Sequence, residues 1–171
     1  DGTWTNVGGG TWSTTTNWSG GAVADGAGAT ANLTCNFSGN RTITIDTART
    51  LGLVNIGDTA SVFYNVTLTR SGSATLTFDN NGSTAQLNGI STSGTTNTLA
   101  SALPILLNDS LDIGNASVNA LTIQGTVTGN SAGTKTISNV GAGTGLVTLS
   151  GVISNGTGAV AVNQNSATSG L

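Results

Sequence analysis

The sequence of 171 residues has no histidine, glutamate or methionine, and it has a single cysteine and a single proline. Without histidine, and with Cys35 alone, the chain has neither the ligands of a zinc site nor an intrachain disulfide framework. Charged residues make up 6% of the chain, against roughly 25% in an average soluble domain. Because strong helix formers are scarce while Val, Ile and Thr are plentiful, the composition favours β-strands.

The few basic residues lie far apart in the sequence, at Arg41, Arg49, Arg70 and Lys135. They form no basic patch, so we expect no nucleic-acid partner. No apolar run reaches the roughly 18 residues that a membrane helix needs, so we expect no membrane insertion of this segment. The sequence starts at Asp1 without Met or a leader segment, which fits a processed N-terminus and would equally fit an arbitrary chain boundary. We expect a secreted, extracellular protein.

From residue 41 onward, apolar and polar residues alternate with period two, which is the pattern of short half-buried strands. In residues 41–46, Ile43 and Ile45 share one face. In residues 61–70, one face carries Val62, Tyr64, Val66 and Leu68, and Phe63 lies on the other. Corners rich in Gly and Asn separate such runs, at residues 79–82, 114–115, 129–130 and 155–156.

This texture continues to the end of the chain, and the corners return at a spacing compatible with coils of roughly 20 residues. We therefore predict an all-β fold in which residues 41–171 form the coils of a parallel β-solenoid. Residues 1–40 hold all three tryptophans and are expected to form an N-terminal cap. A β-sandwich is the alternative architecture. In a solenoid, outward Thr, Ser and Asn would stack on like residues of adjacent coils.

Residues 145–163 read GLVTLSGVISNGTGAVAVN. This stretch resembles the autotransporter-associated β-strand repeat, a Leu-Thr-Leu-Ser-Gly-x-Ile-Ser-Gly core with a Gly-rich turn and a second strand. Residues 125–147 look like a weaker copy, and residues 10–20 are similar to the opening segment of large secreted proteins that carry these repeats. The second strand here lacks the usual Lys-x-Gly-x-Gly-Thr-Leu continuation. The resemblance implies a right-handed parallel β-helix in an exported bacterial surface protein, and it brings no catalytic residues.

The most individual side chains are Trp4, Trp12 and Trp18. They suit either of two roles: a cap over the first coil, which we expect because solenoid ends need covering, or an aromatic platform for glycan stacking. The second role would make the chain a carbohydrate-binding module. Cys35 is expected to be a small buried hydrophobic side chain, with an intermolecular thiol bond as the alternative.

All seven acidic residues are aspartates. Only Asp109 and Asp112 are close in sequence, and a separation of three along a strand places them on opposite faces. Because no pair of facing carboxylates is indicated, we expect no enzymatic activity and no catalytic residues. Calcium is the one cofactor with candidate ligands, at the turn residues Asp79 and Asn80.

The sequence therefore predicts a structural or adhesive protein of the cell surface. Residues 163–171 end inside what looks like an unfinished coil without charged edge residues. An unprotected β edge pairs with other edges. The expected partners are further repeats of a longer chain or other copies stacked head to tail into an extracellular filament, with surface glycans as a second class of partner.

Overall fold

The computed structural model describes residues 1–59, 64–91 and 96–171, and within them the chain is almost entirely β-structure. Two short 3-10 turns, Thr15–Asn17 and Ser19–Gly21, follow the second strand. The strands in the described part are β1 (Gly2–Thr3), β2 (Gly10–Thr11), β3 (Thr30–Leu33), β4 (Arg41–Ile45), β5 (Arg49–Leu51), β6 (Leu53–Ile56), β7 (Val66–Arg70), β8 (Leu76–Phe78), β9 (Ala85–Gly89), β10 (Asn97–Leu99), β11 (Ile105–Leu107), β12 (Leu111–Asn115), β13 (Leu121–Ile123), β14 (Val127–Gly129), β15 (Thr134–Asn139), β16 (Val147–Leu149), β17 (Ile153–Ser154) and β18 (Ala159–Gln164).

These strands form three sheets, which we name A, B and C. Sheet A has the order β1-β3-β6-β9-β12-β15-β18, sheet B the order β2-β4-β7-β10-β13-β16, and sheet C the order β5-β8-β11-β14-β17. All hydrogen-bonded neighbours in these sheets run parallel. From β3 onward, successive strands of the chain belong to sheets A, B and C in turn. The result is a parallel β-solenoid of about six turns. The predicted solenoid is confirmed, and the β-sandwich alternative is wrong because a sandwich is built from antiparallel strands.

The coils are longer than the roughly 20 residues expected from the sequence. Leu121 pairs with Val147, 26 residues later, and Val54 pairs with Leu87, 33 residues later. The difference lies in the corners, which vary in length while the strands stay short. Among the residues assigned to one face of 61–70, Val66 and Leu68 are buried and Tyr64 is half-buried. Positions 62 and 63 lie outside the described residues.

Residues 1–40 are continuous with the coils. β1 and β3 are the first strands of sheet A, and β2 is the first strand of sheet B. Strands on both sides of residue 40 therefore belong to the same sheets. The tryptophan-containing segment closes the first turn, so the N-terminal cap is part of the solenoid's own winding.

The core is a column of inward side chains that stack from coil to coil. In sheet B, one row of direct neighbours consists of Ile43, Leu68, Leu99, Ile123 and Leu149. In sheet C, the corresponding row is Leu51, Phe78, Leu107 and Gly129. Their burial is the main stabilising term, at about 25 cal/mol per Å² of apolar surface removed from water. At one corner, a Cβ on Gly151 would collide with the carbonyl oxygen of Gly125 one coil below, so this corner requires glycine.

Two buried asparagines fasten the corner that leads from sheet A to sheet B. Asn115 Oδ1 accepts from the backbone N of Ser117, and its Nδ2 donates to the carbonyls of Asn119 and Gly145 at 2.8 and 3.2 Å. Asn139 does the same one coil later, accepting from Gly141 N. Each amide thus satisfies backbone groups of its own corner and of the next coil, which a buried corner needs.

Within the residues that the structure describes, no helix has the length and apolar character needed to cross a membrane.

Replacing one inward side chain tests whether the column carries the stability. Leu107 is fully buried between Phe78 and Gly129, so Leu107→Ala should lower the free energy of unfolding by about 2–5 kcal/mol. The exposed Val118 is the control, and Val118→Ala should change it by no more than about 0.5 kcal/mol. Urea unfolding followed by circular dichroism measures both. Equal effects of the two variants would contradict a core built from stacked rows.

Candidate functional site

The N-terminal end is closed by a compact tryptophan cluster. Trp18 packs edge-on against both neighbours, with ring centroids 5.1 Å from Trp4 and 4.9 Å from Trp12. The exposed fractions are 0% for Trp4 and Trp12 and 2% for Trp18. Each indole N–H donates to a backbone carbonyl: Trp4 to Asn6, Trp12 to Ala24 and Trp18 to Trp12. The rings are therefore core residues with satisfied polar atoms.

This arrangement bears on the two roles expected for the tryptophans. A sugar-binding platform needs an accessible ring face, and these rings present none. The segment that carries Trp18 also covers the edge of sheet A, since the backbone N of Thr5 donates to the Asn17 carbonyl and Trp4 forms an antiparallel bridge with Trp18. The geometry favours the cap, which protects the first strand of sheet A from other edges.

A small polar cluster ties this cap to the next coil. Asp46 Oδ1 accepts from both the Oγ and the backbone N of Ser13, at 2.8 and 3.1 Å. Arg49 pairs with Asp25 at 3.1 Å and also donates to Ser13 Oγ. Burial alone would raise the pKa of Asp46, but the hydrogen bonds from Ser13 and the nearby Arg49 guanidinium together hold that pKa below its ordinary value. The cluster joins two cap segments to the corner between β4 and β5.

Cys35 is half-buried beside the core, and its Sγ lies 3.9 Å from the Asn6 carbonyl oxygen. Burial is the main reason that the pKa of its thiol is raised to about 11, and the Asp58 carboxylate adds to the effect. Only the thiolate attacks a disulfide or an electrophile. This placement favours the small hydrophobic side chain over the intermolecular thiol.

The aspartates singled out in the sequence serve as acceptors for corner backbone. Asp109 Oδ2 accepts from the backbone N of Asn80 and Gly82. Both oxygens of Asp79 accept as well, one from Asn81 N and the other from the side chain of Asn108. Asp112 is an outward residue of β12. In the described part of the chain, no three His, Cys, Asp or Glu side chains come together as a metal site.

The buried carboxylate of Asp58 has a similar role in holding corners together. Its two oxygens accept from the backbone N of Phe37 and Tyr64, and its own backbone N donates to Ser91 Oγ. It therefore joins three corners of successive coils. The sequence gives one indication of a special corner at this position, which is the preceding glycine, Gly57. In the structure its φ is 152°, at the edge of the range that favours glycine.

A groove of about 310 Å³ crosses three successive corners on the outside of the solenoid. Its walls are three stacked rows, residues 88–90, 114–116 and 140–142. Glycine, alanine and asparagine make up most of this lining, with Ile90 and Val140 as the larger apolar groups. None of the described residues that line the groove has an ionisable side chain.

The C-terminal end differs from the N-terminal end. β16, β17 and β18 are the last strands of sheets B, C and A in the described residues. At the start of β16, Val147 N donates to the Gly170 carbonyl. Val162, which stacks on the buried Ile137, has 45% of its surface exposed. Residues 136–171 contain no charged side chain. In the described residues, the outer edge of β18 has no partner strand and no charged side chain, and strand edges of this kind pair with other strands.

Comparisons of the chain with protein-family models, with curated proteins and with solved structures found no match.

The polar cluster at the cap makes stability depend on pH. A carboxylate whose pKa is lowered by folding stabilises the native state above its unfolded pKa, and this contribution disappears as the pH falls through the folded value. The free energy of unfolding should therefore fall as the pH drops below about 4, and Asp46→Asn should weaken this dependence. Ser13→Ala, which removes one of the two hydrogen bonds, should act in the same direction. Urea titrations at a series of pH values measure the slope, and an unchanged slope in Asp46→Asn would contradict the assignment.

The raised pKa of Cys35 predicts a protected thiol. At pH 8 the folded chain should react with iodoacetamide far more slowly than the same chain in urea, since little thiolate is present and the side chain is half-buried. Mass spectrometry of timed samples measures the two rates. Rapid labelling of the folded chain, or a disulfide-linked dimer on a non-reducing gel, would instead support the intermolecular thiol.

Proposed function

We propose that this chain is a structural segment of an exported surface protein, and that its C-terminal edge is where it joins a β-strand of another copy. The observation that carries the proposal is the contrast between the two ends. The N-terminal end is covered by the tryptophan cap, whereas β18 has one partner strand among the strands that the structure describes. The unpaired edge of β18 is therefore the edge at which we propose that a further strand adds.

The composition supports the structural role. Charged side chains make up 6% of the chain, and stability comes from stacked coils that bond to one another along the whole length. In the described residues, the carboxylates of Asp58, Asp79 and Asp109 accept hydrogen bonds from backbone groups at the corners. A rod of this kind serves as a spacer or scaffold, with contact surfaces in place of a reaction centre.

The contrast between the ends also bears on how copies would join. A head-to-tail filament, which the sequence suggested, needs two complementary open ends, but the cap covers sheet A at the N-terminal end. Two C-terminal edges can meet across a two-fold axis instead, with the two copies of β18 antiparallel. This arrangement keeps Val160 and Val162 of both copies on the core side. The proposed product is therefore a closed tail-to-tail dimer.

A charge on the exposed edge tests this proposal. Val162 is exposed and lies on β18, whereas Val118 is 57% exposed and lies at a corner away from the edge. Val162→Lys should abolish dimer formation, because a lysine on a strand edge is the device by which natural sheets avoid pairing. Val118→Lys adds the same charge elsewhere and should dimerise like the unchanged chain.

Light scattering coupled to size-exclusion chromatography, over a range of concentrations, measures the mass of each variant. A dimer that stops at two copies and is lost only in Val162→Lys would support the proposal. A monomer at every concentration would overturn edge pairing. An open-ended series of larger species would overturn the tail-to-tail arrangement and favour the head-to-tail filament.

A further inference from the structure

The sequence holds three Asn-Gly pairs, at residues 81–82, 88–89 and 155–156. An asparagine followed by glycine can modify itself, because glycine has no side chain to hinder its backbone N from attacking the preceding side-chain amide. The attack needs an accessible asparagine, a glycine N that can approach Cγ, and a backbone free to close a five-membered ring. The three pairs differ in all three respects, so the fold decides which of them reacts.

The pair at Asn88 is held inside a sheet. Asn88 and Gly89 are the last two residues of β9, which pairs with β6 on one side and β12 on the other. The Gly89 carbonyl accepts from Ala116 N at 2.9 Å, and Asn88 Nδ2 donates to Asn55 Oδ1 at 3.2 Å. Because ring closure would pull the backbone out of both ladders, we expect this pair to be inert in the folded chain.

The pair at Asn81 is exposed, but two carboxylates hold it. Asn81 N donates to Asp79 Oδ1, and Gly82 N donates to Asp109 Oδ2, both at 3.1 Å. The second bond fixes the attacking nitrogen, and the negative charge of Asp109 opposes the loss of its proton. We therefore expect this pair to react slowly although it lies on the surface.

The pair at Asn155 has a different environment. It lies in the turn between β17 and β18, and both of its residues are exposed. Asn155 Oδ1 accepts from the backbone N of Val160 at 2.9 Å. A donor on this oxygen makes Cγ more electrophilic and stabilises the negative charge that develops on Oδ1 during the attack. In place of a carboxylate from another coil, Gly156 N donates to the Gly158 carbonyl at 3.0 Å, within the same turn.

The donor to Oδ1 distinguishes this pair from the other two. In the described residues, Asn81 Oδ1 and Asn88 Oδ1 accept no hydrogen bond. Exposure, a local turn and an activated amide therefore coincide at Asn155.

We infer that Asn155 is a self-modification site, at which the chain deamidates without an enzyme. Gly156 N gives its proton to hydroxide from the solvent and attacks Asn155 Cγ. The Cγ–Nδ2 bond breaks, and ammonia leaves with a proton taken from water. Water then opens the resulting succinimide ring at either carbonyl, which gives aspartate or isoaspartate. The product places a negative charge in residues 136–171, which have no other charged side chain. This inference does not depend on edge pairing.

The experiment follows all three pairs in one sample of the whole chain at mildly alkaline pH, beside a matched sample in guanidinium chloride. Trypsin cleaves after Arg70 and Lys135, which puts Asn155 in a different peptide from the other two pairs. Tandem mass spectrometry of timed digests locates each exchange of an amide for a carboxyl group. A digest at time zero gives the background. Asn155→Gln is the control for the assignment, because glutamine would have to close a larger ring and reacts slowly.

In guanidinium chloride, all three pairs should react at similar rates. In the folded chain, Asn155 should react at about the same rate as in the denaturant or faster. The other two pairs should react roughly tenfold or more slowly than in the denaturant, because each must first open locally. Asn155→Gln should remove the signal from its peptide. A folded chain in which Asn155 stays intact, or reacts more slowly than Asn81, would overturn the inference.

Two variants test the contacts that separate the pairs, and circular dichroism establishes that each is folded. Val160→Pro removes the N–H donor from Asn155 Oδ1 on an edge strand, where proline is tolerated. It should slow the reaction at Asn155 several-fold in the folded chain and leave the rate in guanidinium chloride unchanged. Asp109→Ala frees Gly82 N and should speed the reaction at Asn81 in the folded chain. Unchanged folded-chain rates in both variants would overturn the inference that these contacts select the site.

Discussion

The hydrogen bonds between successive coils are the constraint from which the rest of this structure follows. Each strand inside a sheet pairs in parallel with the strand one coil before and one coil after it, so its inward side chains are stacked on their counterparts. That stacking makes a continuous dry column of residues such as Ile43 and Leu68 without helices or disulfides. It also aligns each outward residue with its counterparts on the neighbouring coils. A substitution in one coil therefore interrupts the row of side chains on that face.

The same constraint gives the two ends of the rod a property that the middle coils lack, which is an unpaired strand edge. A column of parallel strands exposes unpaired backbone at both ends unless something covers it. At the N-terminal end the cover is the cluster of Trp4, Trp12 and Trp18, fixed to the first coils by the Ser13–Asp46 hydrogen bonds. At the other end, β18 has no charged side chain and no cover in the described residues. The proposed function rests on this difference between the two ends.

The three outward faces differ in how they satisfy their polar groups. On sheet A, the side-chain amides of Asn32, Asn55 and Asn88 form a ladder in which each bonds to the next. On sheet B, the outward threonines Thr42, Thr67, Thr98, Thr122 and Thr148 are direct neighbours in the strand register, and no side-chain hydrogen bond links them in the described residues. The sheets therefore differ in whether their outward polar side chains bond to one another or to solvent.

The sequence by itself determined the class of the fold, because the period-two alternation in segments such as Arg41–Ile45 and the Gly/Asn corners leave strands as the only repeating element. It also indicated the cap, since the tryptophans lie together at one end, and the outward stacking of Thr and Asn. It could not determine the coil length, which depends on corners of unequal size, or the buried roles of Asp58, Asn115 and Asn139. Contacts between residues some 20 to 40 positions apart decide those roles, the register that aligns five threonines, and the closure of only one end in the described residues. Local sequence patterns do not specify which distant corner a side chain will contact.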